Sequence, residues 1–290
     1  MMSFSDAAFI GLQKILPKRL ISHLVYQLAR VRSVWLKNLL ISQFMRYFKI
    51  SLNEYLVQSI TEFESFNAFF TRAINPATRP IDTQPDHLIS PVDGRISAQG
   101  HLSPAALWQS EIPAKQHFYN LSELLACEQR ASLYRNGHFT TVYLAPFNYH
   151  RVHAPVTGQL SHLRYCPGTL YSVNATTAHY VPNLFVRNER VVAEFATAHG
   201  PVALVLVGAL NVGCMSMTGL GEIRPAQAGS VPGFIPRAVT RGEVLGAFNM
   251  GSTVIMILPK QLVTATYKTV NDSVQLGEAL LKLQFPTGHG

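Results

Sequence analysis

Chemistry in this chain centres on Gly251-Ser252-Thr253, at the mouth of the apolar run Val254-Ile255-Met256-Ile257-Leu258 that stops at Pro259. A short, uncharged, β-branched run of this kind predicts a buried strand. Glycine has no Cβ, so the Gly251 carbonyl is unshielded and its backbone tolerates strained angles. The Ser252 hydroxyl can fold back onto that carbonyl and replace the peptide bond with an ester. If a base then removes the Ser252 α-proton, the ester leaves by elimination and the new N-terminal residue hydrolyses to a pyruvoyl group. A carbonyl cofactor would thus come from the chain itself. The plain alternative is a turn followed by a strand start, the commoner meaning of such a tripeptide.

Two further clusters carry groups that could serve this chemistry. In Ser90-Pro91-Val92-Asp93-Gly94-Arg95-Ile96, Asp93 stands at a tight turn, where an aspartate before glycine either shapes the turn or orients and charge-stabilises a histidine. In Ala145-Pro146-Phe147-Asn148-Tyr149-His150-Arg151-Val152-His153-Ala154-Pro155, two histidines stand three apart. On an extended segment they point to opposite sides, which makes a poor chelate, and no third ligand is evident, so no metal site is expected. Each could be an ordinary hydrogen-bonded histidine, or the two could serve separate proton transfers. A third segment, Phe185-Val186-Arg187-Asn188-Glu189-Arg190-Val191-Val192, reads as a polar turn between strands. The glycines of Val207-Gly208-Ala209-Leu210-Asn211-Val212-Gly213 serve close strand packing, since no GxxxxGK phosphate loop is present.

These groups must be held by a body of known composition. The 290 residues are 48% apolar and 14% charged, which excludes disorder and allows a full core. Cys127, Cys166 and Cys214 are far apart, without a CxxC pair, so neither a disulfide framework nor structural zinc is expected. The net charge is +8, yet residues 1–50 hold eight Lys and Arg against Asp6 alone, a net +7. A basic arm on a near-neutral body is not the pattern of a nucleic-acid binder.

The arm lacks the features of a signal peptide, and no stretch has the roughly 18 to 20 apolar residues needed to span a bilayer. It shows helical periodicity instead: Leu20, Ile21, Leu24 and Leu28 form one stripe after Pro17, and Leu36, Leu39, Leu40, Phe44, Tyr47 and Phe48 another. Basic residues fill the gaps, and Trp35 and Tyr47 suit headgroup depth, so a helix pair lying in a membrane interface is expected; packing on the body or a dimer contact is the alternative. Ser65 caps a short helix with Phe66, Phe69 and Phe70 inward, followed by the proline-punctuated connector 75–82. Beyond Ile89, β-rich runs at 142–144, 158–165, 191–197, 202–208 and 253–258 predict an antiparallel sandwich or barrel-like core, with one helix at 121–134. The fold class is therefore α+β: an antiparallel β-rich core with an N-terminal amphipathic, membrane-facing helical region. Residues 1–64 form the arm and 65–290 the catalytic domain.

The combination of Phe66-Asn67 with Phe69-Phe70 and Arg72, Arg79-Pro80-Ile81-Asp82, Ser90-Pro91-Val92-Asp93-Gly94, Tyr149-His150-Arg151-Val152-His153, Asn188-Glu189-Arg190, Val207-Gly208-Ala209 with Val212-Gly213, and Gly251-Ser252-Thr253 resembles the phosphatidylserine decarboxylases, pyruvoyl-dependent enzymes of membrane lipid synthesis. The resemblance runs from about Phe63 to Pro259. One departure is Met250, where the family has leucine, a change that conserves apolar volume.

The resemblance implies that Asp93, His153 and Ser252 form a relay for self-cleavage: Asp93 holds the imidazole, His153 takes the hydroxyl proton and Ser252 attacks Gly251. The products are a long chain, 1–251, and a short one, 252–290, held together as a heterodimer by strand pairing. It further implies a covalent pyruvoyl cofactor at Ser252, which condenses with the amine of phosphatidylserine; the imine withdraws the electrons released as carbon dioxide leaves and phosphatidylethanolamine results. His150 is the candidate for protonating the product carbon. The expected partner is an anionic membrane, bound peripherally on its cytoplasmic face, with a homodimer left open and no nucleic acid. The competing readings are a non-catalytic lipid-binding protein, a pyruvoyl enzyme for another amine, and a serine hydrolase, the last disfavoured because no GxSxG elbow surrounds Ser252.

Overall fold

The computed structural model describes residues 11, 16–103, 107–110, 117–209, 215–223, 229–249 and 252–284. Strands in the first half of the chain are β1 (His87–Ile89), β2 (Gly94–His101), β3 (Leu107–Ser110), β4 (His117–Asn120), β5 (His138–Leu144), β6 (Arg151–His153) and β7 (Gly158–Cys166). The second half contributes β8 (Arg190–Thr197), β9 (Gly200–Gly208), β10 (Met215–Met217), β11 (Gly221–Ile223), β12 (Gly229–Ser230), β13 (Arg237–Val239), β14 (Val244–Phe248), β15 (Ser252–Leu258), β16 (Val263–Thr266), β17 (Ser273–Val274) and β18 (Ala279–Leu283). The helices are α1 (Lys18–Ala29), α2 (Val34–Phe48), α3 (Phe66–Phe70), α4 (Leu121–Leu125), α5 (Glu128–Ser132), α6 (Ala175–Tyr180) and α7 (Leu184–Arg187).

The strand ladders are antiparallel throughout. A nine-stranded sheet runs β12-β7-β8-β9-β15-β5-β2-β17, with β13 also on β7; smaller sheets run β11-β10-β14-β6, β1-β18-β16 and β3-β4. The fold is thus mixed α/β, mostly antiparallel sheet with a few short helices. The large sheet keeps two edges among the described residues, so its ladder does not close into a barrel.

Alternation along β15 sorts its side chains. Val254, Met256 and Leu258 join a core shared with the small sheets through Val152, Met215, Leu245, Phe248 and Leu281. Ile255 and Ile257 join a second core under the helices, with Leu124, Tyr134 and Phe185. With a side-chain period of two, Ser252 shares the face of Val254.

The single helix expected over 121–134 is in fact two. Ala126 takes the left-handed conformation (φ 50°) between α4 and α5. The Arg190 guanidinium supplies the reason: Nε donates to the Leu124 carbonyl at 2.7 Å and Nη2 to that of Glu123, capping α4 so that the helix does not continue.

The arm helices form where the periodicity places them, and α3 is capped by Ser65, whose hydroxyl accepts from the Ala68 N–H at 3.2 Å. One apolar cluster joins Ala29 and Ile41 of the arm to Phe66, Phe69, Phe70, Tyr149 and Leu276, so packing is continuous across residue 64. The stripe Leu20, Leu24 and Leu28 faces outward, as do Val34, Trp35 and Tyr47. Against the body, α1 instead places Tyr26 and Arg30, which bond Glu222 of β11. Among the described residues no helix is long and apolar enough to cross a membrane.

Candidate active site

Ser252 is the first residue of the most enclosed strand in the fold. All seven residues of β15 are buried, and Ser252 lies in register with Leu144 of β5 on one side and Gly208 of β9 on the other. Asn188, within the segment read as a polar turn, secures that position: its side-chain amide donates to the carbonyls of Gly208 at 2.9 Å and Tyr171 at 2.8 Å. The Ser252 hydroxyl is wholly buried and has no hydrogen-bond partner among the described residues. A buried hydroxyl with its lone pairs open among the described residues is placed to act as a nucleophile.

The link before Ser252 passes from one sheet to another. β14, ending at Phe248, belongs to the small sheet and β15, starting at Ser252, to the large one. Asn249 is gripped on entry: its Oδ1 accepts from Asn67 Nδ2 of α3 at 3.2 Å, and its own Nδ2 donates to the Ser216 hydroxyl at 3.2 Å. Met250 and Gly251 lie outside the described residues.

Asp93 is buried at the turn into β2, next to Gly94, where any side chain would strike the Tyr143 carbonyl oxygen at 2.5 Å. Arg79 grips the carboxylate with Nε at 3.2 Å from Oδ1 and Nη2 at 2.9 Å from Oδ2, and the Leu276 N–H donates to Oδ1 at 2.8 Å. Arg79 Nη2 also meets Glu54 Oε2 at 2.8 Å. Burial works against the Arg79 charge, but its hydrogen bonds to Asp93 and Glu54 outweigh that and raise its pKa further.

His153 shares no hydrogen bond with Asp93 in this structure. Its Nδ1 lies 2.7 Å from the Gly242 carbonyl oxygen, which can only accept, so Nδ1 carries the hydrogen and Nε2 accepts from the Tyr149 hydroxyl at 2.9 Å. The main chain still ties the two residues, since the His153 N–H donates to the Pro91 carbonyl at 2.9 Å. Burial lowers the His153 pKa, which keeps the ring a neutral base; the Gly242 carbonyl and the Asp93 charge partly oppose this.

His150 faces different surroundings, as the three-residue spacing predicts. It is fully buried, stacked on Phe70 with ring centroids 4.1 Å apart. Nε2 donates to the Pro146 carbonyl at 3.3 Å, leaving Nδ1 as a lone pair without a hydrogen-bond partner among the described residues. Burial, helped by the positive charge of Arg72, pushes its pKa down to about 3. Arg72 is itself buried, donating to the Tyr55 hydroxyl at 2.9 Å and the Phe69 carbonyl at 3.2 Å. Among the described residues no His, Cys, Asp and Glu side chains gather into a metal-binding group.

Sequence reasoning therefore names Asp93, His150, His153 and Ser252 but assigns no role to Arg79, Tyr149, Asn67 or Asn249. Arg79 carried a usable signal, since an arginine in a proline-rich connector has no structural need of its own. The Tyr149 contact had none, because four residues along a turning loop imply no side-chain meeting.

Comparison with known proteins gives matches over most of the chain. A family model described as phosphatidylserine decarboxylase matches residues 66–282, and a second, described as PSD, matches residues 8–49. The phosphatidylserine decarboxylase proenzyme of Alkalilimnicola ehrlichii is 44% identical over 248 residues, 83% of this chain and 85% of that protein. The proenzyme of the same name from Ectopseudomonas mendocina is 40% identical over 94% of this chain and 96% of its own length. That of Bordetella pertussis is 39% identical over 96% and 95%. With a model matched over most of its length and relatives this similar from end to end, the chain belongs to the phosphatidylserine decarboxylase family.

Proposed function

We propose that the chain is made as a proenzyme that cuts itself at Gly251–Ser252 and then decarboxylates phosphatidylserine to phosphatidylethanolamine while resting on a membrane. The carrying observation is the buried Ser252 hydroxyl, without a hydrogen-bond partner among the described residues, at the head of the central strand just after the gripped Asn249. In self-cleavage the Ser252 oxygen attacks the Gly251 carbonyl and His153, neutral at rest, takes the hydroxyl proton on Nε2. That nitrogen has a single lone pair, so the Tyr149 hydroxyl must first turn away from it. Asp93, clamped by Arg79, supplies the negative charge that stabilises the imidazolium.

After cleavage the pieces 1–251 and 252–290 stay together, because β15 is hydrogen-bonded to β5 and β9 on both sides. A buried residue 252 between two strands fits a pyruvoyl group, which would supply a carbonyl able to take up the substrate amine and act as an electron sink. His150, buried against Phe70, is the candidate for protonating the carbon that carbon dioxide leaves; burial favours its neutral ring, so a proton it takes up is readily given on.

Residues 1–64 place the enzyme on the anionic, cytoplasmic surface of the membrane. The outward stripe of α1 and the exposed Trp35 and Tyr47, interleaved with basic residues, support that role. The test is the intact mass of purified wild-type and Ser252→Ala protein. Wild type should separate into two polypeptides, the shorter one reacting with carbonyl-trapping reagents, and Ser252→Ala should remain one. A folded, active wild type that stays a single species would overturn the proposal, as would the behaviour of a non-catalytic lipid-binding protein.

A further inference from the structure

A cavity of about 470 Å³ opens between the end of α2, the segment that follows it and the loop carrying Tyr149. Its polarity is graded. At the mouth stand Phe48 and the half-exposed Phe147, with ring centroids 6.1 Å apart, and the exposed Tyr47 packs on Phe48 at 4.8 Å. Its inner wall is polar and buried, formed by Arg79, Asp93 and Tyr149. Lys49, in the left-handed conformation (φ 53°) that ends α2, also lines the cavity and makes no ion pair among the described residues.

An aromatic mouth over a polar floor suits an amphiphile entering head first. Phe48 of the mouth belongs to α2, the helix that also exposes Val34, Trp35 and Tyr47, so a bilayer meeting the end of α2 would bring lipid close to the mouth. The floor ends at Tyr149, whose hydroxyl touches His153. The volume falls within the range of small-ligand sites.

We propose that this cavity is the entry site for the phospholipid headgroup, with Lys49 binding its phosphodiester and Phe48 and Phe147 receiving the first methylenes of the acyl chains. The serine end of the headgroup then faces Tyr149. The proposal rests on the reading of Ser252 as the reaction centre, and the test separates the two.

The experiment uses the full chain as wild type, Lys49→Glu, Lys49→Arg and Phe147→Asp. Each is assayed for self-cleavage by denaturing gel, for sedimentation with phosphatidylglycerol vesicles, and for decarboxylation at varied mole fraction of phosphatidylserine in mixed micelles. Glycerophosphoserine, the water-soluble headgroup, serves as competitor. All four proteins should cleave fully, and because Lys49 belongs to the basic arm, the sedimentation assay separates any loss of vesicle binding from the change in headgroup affinity. Lys49→Glu should raise KM roughly tenfold with kcat preserved, and weaken glycerophosphoserine inhibition by a similar factor, as expected for loss of one charge-assisted contact. Lys49→Arg should restore both, while Phe147→Asp should raise KM for lipid yet leave inhibition by the soluble headgroup intact. Wild-type KM and inhibition in Lys49→Glu would overturn the proposal. Failure of wild type to cleave would instead overturn the Ser252 reading.

Discussion

Replacing Arg79 by glutamine tests the electrostatic frame of the site most directly. Asp93 and Arg79 have side chains only 9% and 6% exposed, so the pair is shielded from solvent. Removing the guanidinium leaves the Asp93 carboxylate buried, with only the Leu276 N–H on Oδ1. Breaking a buried pair in this way costs about 3–5 kcal/mol. The second partner, Glu54, is half exposed and contributes little, about 0–1 kcal/mol. Unfolding entropy of about 2.1 cal/mol/K per residue over 290 residues converts the loss into a fall in Tm of about 5–8 °C. The measurement belongs in a Ser252→Ala background, so that every variant has the same covalent structure. Glu54→Gln should move Tm by no more than about 1–2 °C. Asp93→Asn should recover most of the loss in the double variant, because a neutral amide no longer needs the cation. Equal Tm shifts for Arg79→Gln and Glu54→Gln, or no recovery in the double variant, would refute the assignment of Arg79 as the group that holds the Asp93 carboxylate in place.

Other outcomes follow from the same geometry. Self-cleavage requires neutral His153, whose pKa is lowered, so the cleavage rate should fall with acid only below the ordinary histidine value near 6.5; Tyr149→Phe removes a hydrogen bond to the neutral ring and should shift that limb upward, as read from gel time courses between pH 4 and 8. Burial pushes the folded His150 pKa well below its unfolded value near 6.5, so the folded ring resists protonation and His150 penalises the fold as pH drops below that value. Urea midpoints of His150→Gln in the uncut background should therefore depend on pH less steeply than those of the parent; an unchanged slope would contradict the assigned burial. Leu24→Glu and Trp35→Ala alter exposed side chains of the arm, so they should leave Tm nearly unchanged while reducing sedimentation with anionic vesicles.

Much of this architecture was legible in local patterns. The run Val254–Leu258 announces a strand because uninterrupted β-branched residues satisfy both faces of a buried sheet, and the outcome is the fully buried β15. The helix at Phe66 was legible from the Ser65 cap and its phenylalanine spacing. The division of 121–134 into two helices was not, because the group that ends the first one is Arg190, more than sixty residues away in the chain. The sheet order hides for the same reason: β15 lies between β5 and β9, neither of them its neighbour in sequence.

For the site, residue chemistry alone singled out Ser252, Asp93 and the two histidines, because a serine after glycine at a strand mouth and a histidine pair on opposite faces have limited uses. Which partner each one holds is a property of distance in three dimensions. Only the folded chain sets Arg79 rather than His153 on the Asp93 carboxylate, Tyr149 on the His153 imidazole, and Phe70 and Arg72 around His150. Residue types determine which reactions a chain could attempt. Burial and long-range contact determine charge state and which lone pairs stand open, since desolvation and hydrogen bonding act only between groups that folding brings together.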